Sequence, residues 1–486
     1  MPESNRNLKI VVYSLLGALI YFPLFLHLER LSLRLWDESR LAMNAFEMSQ
    51  SGNFIVTTFG GNPDMWNTKP PLMIWLQALC MKVFGYNELA VRLPSAMAGL
   101  GIVILIVTVF DRYLKRLDIA FSTALVLVTS LGFICVHVSR SGDYDALLCF
   151  SILAVISFTF YWTQSWNDKH LVPLGAAIVV MGLTKGIQGF MILPGIFLYL
   201  LITKKLLEVL SSKYFWLTAF ISLSVILGYY FIREYYNPDF LAAVWKEELG
   251  GRFTRKGTFH VHPYYFHMKN LAERLFFPWI FFLPIGIFFG WISKNQSLKR
   301  ITQLLTCIAL TYLCLISSSR TKLEWYAAPF VVLASIIVGI GIGEIWRKVS
   351  AKYFTGNPWK KWIFTTIFFL LIFAWPYKNM FESVYNPLES EAINWRSHKF
   401  GQCMKEFEAK NYNVVNIGYN AQAAFYIETL NVDGYNITPS APDSLSVGSQ
   451  VLICQDQAKA KIQEHYNIES VQPCELCELI AIQSRK

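Results

Sequence analysis

Long apolar stretches separated by short charged connections occupy most of the chain as far as residue 380. Stretches long enough to cross a bilayer, allowing for tilt, lie at 9–28, 91–112, 119–138, 144–163, 171–184, 187–203, 215–232, 274–293, 301–318, 325–343 and 362–379. The pattern predicts an all-α polytopic membrane domain with about eleven or more crossings. The run from Pro70 to Phe84 is short for a crossing, and counting it would send every basic connection to the other side, so it is expected to be re-entrant or interfacial. After Met380 the apolar runs shorten: Val414 to Gly418, Ala424 to Ile427, Val451 to Cys454 and Leu479 to Ile482 alternate with polar, helix-compatible stretches. The expected division is therefore a membrane domain over 1–380 and a small C-terminal soluble α/β domain over 381–486, long enough to fold alone. No solenoid repeat or low-complexity segment is visible.

Composition agrees with this division and orients it. Of 486 residues 54% are hydrophobic and only 16% charged, and the mean hydropathy is +0.38, which belongs to a bilayer protein. A net charge of +10 raises the question of nucleic acid, but the basic residues fall between apolar stretches and form no single patch, so nucleic-acid binding is set aside. Lys115/Arg116, Lys204/Lys205/Lys213, Lys294/Lys299/Arg300 and the stretch Arg347 to Lys361 all lie inside if the N-terminus does. An odd number of crossings then places the tail outside, together with the loop 29–69, the turn 139–143, the hairpin tip Lys185–Gly186 and the long loop 233–273. The first apolar stretch has no small-residue cleavage site after it and is expected to stay as a helix. Cys80, Cys135, Cys149, Cys307 and Cys314 sit in apolar segments, whereas Cys403, Cys454, Cys474 and Cys477 are in the tail. Cys474 and Cys477 form a C-x-x-C without a second pair at zinc-ribbon spacing, and a structural disulfide is expected there.

The polar residues that invite a chemical reading lie on the predicted outer face. Trp36-Asp37-Glu38-Ser39-Arg40 follows the first helix directly, and Leu41, Ala42, Ala45, Phe46 and Met48 then share one helical face, predicting a helix along the membrane surface. Adjacent helical positions diverge by about 100°, so Asp37 and Glu38 cannot serve one partner together and one of them is structural. The same pattern fits a plain helix start, with Asp37 as its cap and Glu38 in the first turn.

Asp37 and Glu38 keep company with an ordered series of motifs. These are Lys69-Pro70-Pro71-Leu72 with Trp75 to Leu79; Phe84-Gly85-x-Asn87-Glu88-x-Ala90 to Ala96; Arg140-x-Gly142-x-x-Asp145; Leu183-Thr184-Lys185-Gly186; His260-x-x-Pro263-Tyr264-Tyr265 with Pro278-Trp279; and Ser319-x-x-Lys322-Leu323-x-Trp325-Tyr326-x-x-Pro329. The series resembles the polyprenyl-phosphate-sugar-dependent transferases that include bacterial lipid A aminoarabinose transferases and protein O-mannosyltransferases, built on the membrane GT-C glycosyltransferase fold. The resemblance spans nearly the whole membrane region. It implies a transferase of the bacterial inner membrane, with active site and tail on the periplasmic face, that uses a polyprenyl-phosphate-linked sugar as donor. It also implies that Asp37, with Glu38 beside it, is the catalytic base or a metal ligand, and that Asp145 is a second acidic group, with Asp143 competing for that role. Two carboxylates suit such a site: one takes the acceptor's proton while the other orients it or helps to hold a cation.

A lipid-phosphate leaving group gathers charge in the transition state and needs cations already in place. Lys69, Lys185 and Lys322 are the candidates, with Arg92 and Arg140 behind them, and snorkelling at helix ends is the alternative for each lysine. Glu247, Glu248, Arg252, His260, Tyr264, Tyr265, Trp325 and Tyr326 are the expected substrate contacts. The chain departs from the family at Thr68, where many aminoarabinose transferases have a glutamate proposed to bind metal with the loop histidine. A divalent metal is therefore left open, and His260, His262 and His267 do not have the spacing of a regular ligand set. A transporter would also suit broken apolar segments such as 171–203, but it predicts ionisable residues near mid-membrane and repeated halves. Which sugar is moved, and whether to a glycolipid, a glycan or a protein hydroxyl, is not written in the chain, nor is the oligomeric state.

Overall fold

The computed structural model describes residues 3–134, 137–250, 260–353, 358–385, 400–475 and 477–486. Among them seven helices are long and apolar enough to cross a membrane, or eight if the bent pair Phe266–Leu275 and Trp279–Trp291, which meet at 107°, is one span. They mark an integral membrane protein. Several predicted crossings are shorter or broken. The run 119–138 is broken into the helix Leu117–Val128 and the single turn Leu131–Ile134, and the first helix, Glu3–Phe25, has a short apolar part from Lys9 to Phe25. The two runs at 171–203 are joined at Gly186, whose φ of +55° ends the helix Leu171–Lys185. The 3₁₀ segment Gly186–Ile192 then folds back, leaving Gly189 against Met181.

At the centre runs Ala328–Tyr353, with 94% of its apolar window buried. Its small residues let other backbones approach, as membrane helices require in place of a hydrophobic driving force. A Cβ on Gly339 would lie 2.1 Å from Thr123 Oγ1, and one on the facing Gly286 would lie 2.0 Å from the Ile337 carbonyl oxygen. The ionic ties gather at the two ends of the bundle. At one end Lys9 bonds both Asp111 oxygens at 2.8 Å, and Arg116 pairs with Asp118 and Glu344, the latter also held by Arg347. These are residues of the basic connections predicted to lie inside.

At the other end the surface helix forms over Asp37–Ser51 as predicted, but it is not bare on the membrane. Its face of Leu41, Ala42, Ala45, Phe46 and Met48 is buried, packed between the helix Leu72–Phe84 and the C-terminal helix Ala421–Val432. Phe46 meets Tyr86 edge-on at 5.0 Å.

The C-terminal part carries a five-stranded sheet in the order 436–439, 411–414, 450–453, 477–485, 466–474. The first three strands are parallel and the last two antiparallel, with Val414 opposite Leu452 and Cys474 opposite Cys477. Val451, Ile453, Ile480 and Ile482 make its core with Ala458 and Ile462 of the helix Asp456–His465. The apolar run at Ala424 is helical, in a helix whose Asn420 side chain caps the Ala423 amide. Tyr426 from this helix bonds the Leu33 amide at 2.8 Å and Glu88 at 2.6 Å, fastening the sheet to the loop after the first helix.

Cys474 and Cys477 do not pair with each other. They face across a hairpin and reach out separately, Cys474 to Cys403 and Cys477 to Cys454. Cys80, Cys149, Cys307 and Cys314 are free. Mass spectrometry of unreduced peptides is expected to find the 403–474 and 454–477 links; a 474–477 link would contradict this arrangement.

Candidate active site

Helix Asp37–Ser51 starts without a side-chain cap, launched from Trp36 at φ 77° and ψ −118°. Successive side chains then diverge, and the two acids go to different places. Glu38, 1% exposed, turns into the protein. Its carboxylate accepts from Arg92 Nε at 2.8 Å and Nη2 at 3.1 Å, from the Arg34 amide at 2.7 Å and from the Gly142 amide at 2.8 Å. Burial pushes its pKa up, but the charge and hydrogen bonds of Arg92 outweigh that and hold it at about 2. Arg92 donates its remaining N–H groups to the carbonyls of Leu28, Leu31 and Ser32. Glu38 as a catalytic group and Arg92 as a phosphate ligand are therefore corrected: they spend their bonding capacity on each other and on the backbone. Gly142 is where the turn must come close, since a Cβ there would lie 2.3 Å from Val91 Cγ1.

Asp37 faces the other way, toward the turn at 137–145. Its Oδ2 is 4.0 Å from His137 Nδ1, which hydrogen-bonds Asp143. The His137 ring stacks on Trp325 with centroids 3.7 Å apart. Burial raises the Asp37 pKa and the Asp143 charge adds to this, while His137, Lys69 and Lys185 oppose it. Burial disfavours the charged form of His137, but the charge and hydrogen bond of Asp143, then Asp37, raise its pKa overall. His137 thus lies between two carboxylates, hydrogen-bonded to Asp143 and 4.0 Å from Asp37.

The lysines border this group. Lys185 Nζ bonds both oxygens of Asp145, at 2.7 and 2.8 Å, in a pair that is 5% and 1% exposed, with Tyr326 5.7 Å above it. Lys69 lies 3.4 Å from Glu248, whose carboxylate also accepts from the Thr68 hydroxyl at 3.0 Å, and 5.7 Å from the Tyr144 ring. Tyr144 is tied through Asn67, Asn44 and Asp64 to Arg40, so the lead-in to Lys69 is fixed from the surface helix.

Other expected site residues lie elsewhere. Lys322 donates to the carbonyls of His262 and Ser319, which ties two loops together. Arg140 donates to the carbonyls of Pro23, Leu26 and His27 at the end of the first helix, away from the lysines. Tyr264 and Tyr265 are exposed, as is His260. Glu247 lies in the segment Trp245–Gly250, and Arg252 falls outside the described residues. His260 does not meet Thr68, and the three loop histidines form no ligand set among the described residues. Asp37, His137 and Asp143 do gather, with ligand atoms within 4.8 Å of one another, and two carboxylates with an imidazole suit a divalent cation. Sequence reasoning missed His137. It stands at the end of an apolar run, three residues before Arg140, and a polar ring closing such a run was the available signal.

Comparisons with known proteins bear on the family resemblance and the fold. A family model described as dolichyl-phosphate-mannose-protein mannosyltransferase matches residues 68–230. The undecaprenyl phosphate-alpha-4-amino-4-deoxy-L-arabinose arabinosyl transferase of Shewanella sediminis is 27% identical over 358 residues, 70% of this chain and 61% of its own. The chain spans between about half and three fifths of the length of the first curated relatives it matches. In structure it is similar to ArnT from Cupriavidus metallidurans bound to undecaprenyl phosphate, with a TM-score of 0.72 at 16% identity over 98% of both chains. It is also similar to the Archaeoglobus fulgidus oligosaccharyltransferase, with a TM-score of 0.55 at 13% identity over 90% of this chain and 65% of the other. The resemblance drawn from the motifs is borne out, and the fold is the GT-C fold.

The two acids at the start of helix Asp37–Ser51 should separate in stability measurements. Glu38→Gln or Arg92→Met leaves a buried charge unpaired and should cost about 3–5 kcal/mol, read as a fall in Tm of the detergent-solubilised protein, whereas Asp37→Asn should leave Tm nearly unchanged. Because the folded pKa of Glu38 lies below its ordinary value, its stabilisation is complete above the ordinary carboxylate range and is lost as pH falls toward about 2.

Proposed function

We propose that this chain is an integral-membrane glycosyltransferase that moves a sugar from a polyprenyl-phosphate donor to a lipid, glycan or protein hydroxyl on the outer face of the membrane. Residues 1–380 form the catalytic domain and 381–486 an outer domain docked beside it. The observation that carries the reading is Asp37 set against the His137–Asp143 pair, with Lys69 and Lys185 near enough to act on its charge.

In the reaction the acceptor oxygen attacks the anomeric carbon as the carbon–oxygen bond to phosphate breaks. The bonding electrons leave with the polyprenyl phosphate, and the acceptor proton passes to Asp37. Burial and the Asp143 charge raise the Asp37 pKa, which makes it a stronger base than an ordinary carboxylate. Lys69 is the donor-phosphate ligand on this reading, since Glu248 already sets an anion beside it and a phosphate would take that place. Lys185 adds its charge from behind, fixed by Asp145. Asp37, His137 and Asp143 would hold a divalent cation if one is used, and it would polarise the acceptor hydroxyl.

Asp37→Asn keeps the shape and removes the base, so single-turnover transfer should fall roughly 10²–10⁴-fold with donor binding intact. Normal turnover would defeat the assignment. Lys69→Met should weaken donor use by about 2–4 kcal/mol, seen in the donor KM. The buried pair is tested by replacing both partners, Lys185→Met with Asp145→Asn, so that neither charge is stranded; this variant too should use donor poorly.

A further inference from the structure

Aromatic rings from the first loop and from the C-terminal part gather beside Asp37. Trp36, the residue before it, stacks on Tyr419 with centroids 5.1 Å apart, and Tyr419 stacks in turn on Phe59 at 6.1 Å. Trp66 joins them across the Arg40 guanidinium, which lies 4.7 Å from the Trp66 ring, 4.5 Å from Phe59 and 5.7 Å from Tyr419. We propose that this platform holds a pyranose ring of the acceptor, a saccharide subsite to which the C-terminal part contributes Tyr419. The inference rests on the transferase reading above and names the part of the acceptor that is recognised.

Exposed large rings are usually scattered singly, and a cluster of them marks a place where something binds. Trp36 is 56% and Trp66 48% exposed, yet the group is held firmly from beneath. Arg40 forks onto Asp64 through Nη2 at 2.7 Å and Nε at 2.9 Å, and its Nη1 donates to the Tyr419 hydroxyl at 3.4 Å. Asp64 also accepts from the amides of Trp66 and Asn67, so one ion pair sets the Trp66 turn and Tyr419 together. Trp36 has φ 77° and ψ −118°, which glycine adopts freely and a residue with a Cβ only at a cost. The chain nonetheless puts a large ring there, stacked on Tyr419 and more than half open.

A sugar is the ligand that such a surface suits. The C–H groups on one face of a pyranose form an apolar patch that packs on the electron-rich face of an aromatic ring, while the hydroxyls around its rim need hydrogen-bond partners. The platform offers both, since the indole N–H groups of Trp36 and Trp66 and the hydroxyl proton of Tyr419 have no acceptor among the described residues. Rings that dip into a bilayer have apolar neighbours, whereas the borders here are polar: the hairpin Thr58–Pro63 with exposed Gly60, Gly61 and Asn62, and the turn from Asn416 to Asn420.

The topology of the C-terminal sheet supports the same place on separate grounds. In open α/β sheets ligands bind beyond the carboxyl ends of parallel strands, where neighbouring strands send their connections opposite ways. Strand 411–414 leads through its helix to 436–439 on one side, whereas the chain leaving its other neighbour, 450–453, goes on to the hairpin 466–485 on the opposite side. Tyr419 stands in the connection leaving 411–414, turned out after Gly418 at φ 88°. That connection is tied to the one leaving 450–453, the Ile417 amide donating to Gln455 Oε1 at 2.8 Å. Asp37 reaches this place electrostatically: burial raises the Tyr419 pKa against the pull of Arg40, and the charges of Asp64 and Asp37 add to the rise. The donor sugar stays tied to the phosphate proposed for Lys69, whose neighbours are Glu248 and Tyr144, so the ring on Trp36 and Tyr419 is the acceptor's.

The test measures binding, so it does not depend on turnover. Full-length protein in nanodiscs is mixed with the methyl β-glycosides of glucose, galactose and glucosamine, and with cyclohexanemethanol as an apolar ring of similar size, and saturation-transfer NMR reads which protons meet the protein. At least one glycoside should be saturated chiefly on the C–H protons of one face. Trp36→Ala and Tyr419→Ala should each weaken its binding about tenfold, the worth of one stacked ring face, and Trp36→Phe should keep most of it. Undecaprenyl phosphate affinity, unchanged in all three variants, reports an intact fold. Saturation of no glycoside overturns the proposal, as does unaltered binding in both alanine variants. So does cyclohexanemethanol binding as well as the glycosides, which would make the platform an apolar patch only, or alanine variants that weaken undecaprenyl phosphate instead, which would give it to the carrier. Should Asp37→Asn turn over normally while the glycoside results hold, the catalytic reading fails and the sugar subsite stands; should it be inactive while the alanine variants bind sugar normally, the subsite alone fails.

Discussion

The buried pair of Glu38 and Arg92 is the constraint on which the end of the molecule that carries the candidate site depends. Four pieces of chain meet on it: the end of the first helix through the carbonyls of Leu28, Leu31 and Ser32, the start of the surface helix through Glu38, the helix Glu88–Val107 through Arg92, and the turn at Gly142 through its amide. Burying two charges is expensive, and such a pair stabilises a fold only when its remaining lone pairs and protons are met, as they are here. The geometry of the centre follows from it. With Glu38 fixed inward, Asp37 must point about 100° away around the helix, toward the turn whose position Gly142 sets, and His137 and Asp143 flank that same turn.

The membrane bundle supplies rigidity by a different means. Lipid gives helices no hydrophobic reason to associate, so close backbone contact at Gly286 and Gly339 brings the central helix against its neighbours. Charges are confined to the two ends, where Lys9, Asp111, Arg116, Asp118 and Glu344 close one side and the Glu38 network closes the other.

Much of this was legible in the sequence because hydrophobic length and motif order are local properties. The polytopic helical domain, the small α/β tail and the gathering of Asp37, Lys69, Asp145 and Lys185 on one face follow from them. What was not legible depends on where a side chain finds its partner. Nothing in Asp37-Glu38 says which acid turns inward; the answer lies with Arg92, fifty-four residues away. Lys322 reads as a boundary lysine until the carbonyls of His262 and Ser319 are seen around it. The C-x-x-C suggested a local disulfide, but a hairpin sets the two sulfurs to separate partners on neighbouring segments. His137 was hidden because an apolar run was expected to continue through it, whereas the helix ends at Val128.

A transferase that works on a lipid-linked donor faces a problem of like charges, since the leaving phosphate, the catalytic carboxylates and any anionic acceptor must share one small volume. Unscreened anions a few ångströms apart repel by several kcal/mol at an effective dielectric near 20, about 4 kcal/mol at 4 Å. The arrangement around Asp37 meets this by giving each anion its own cation: Arg92 for Glu38, Lys185 for Asp145, His137 for Asp143, and Lys69 for whatever replaces Glu248. Among the described residues the cation nearest Asp37 is His137, at 4.0 Å. Burial and the neighbouring Asp143 charge raise the proton affinity of this loosely compensated carboxylate, and on the proposed reading it is the group that accepts a proton when a hydroxyl comes between it and the sugar.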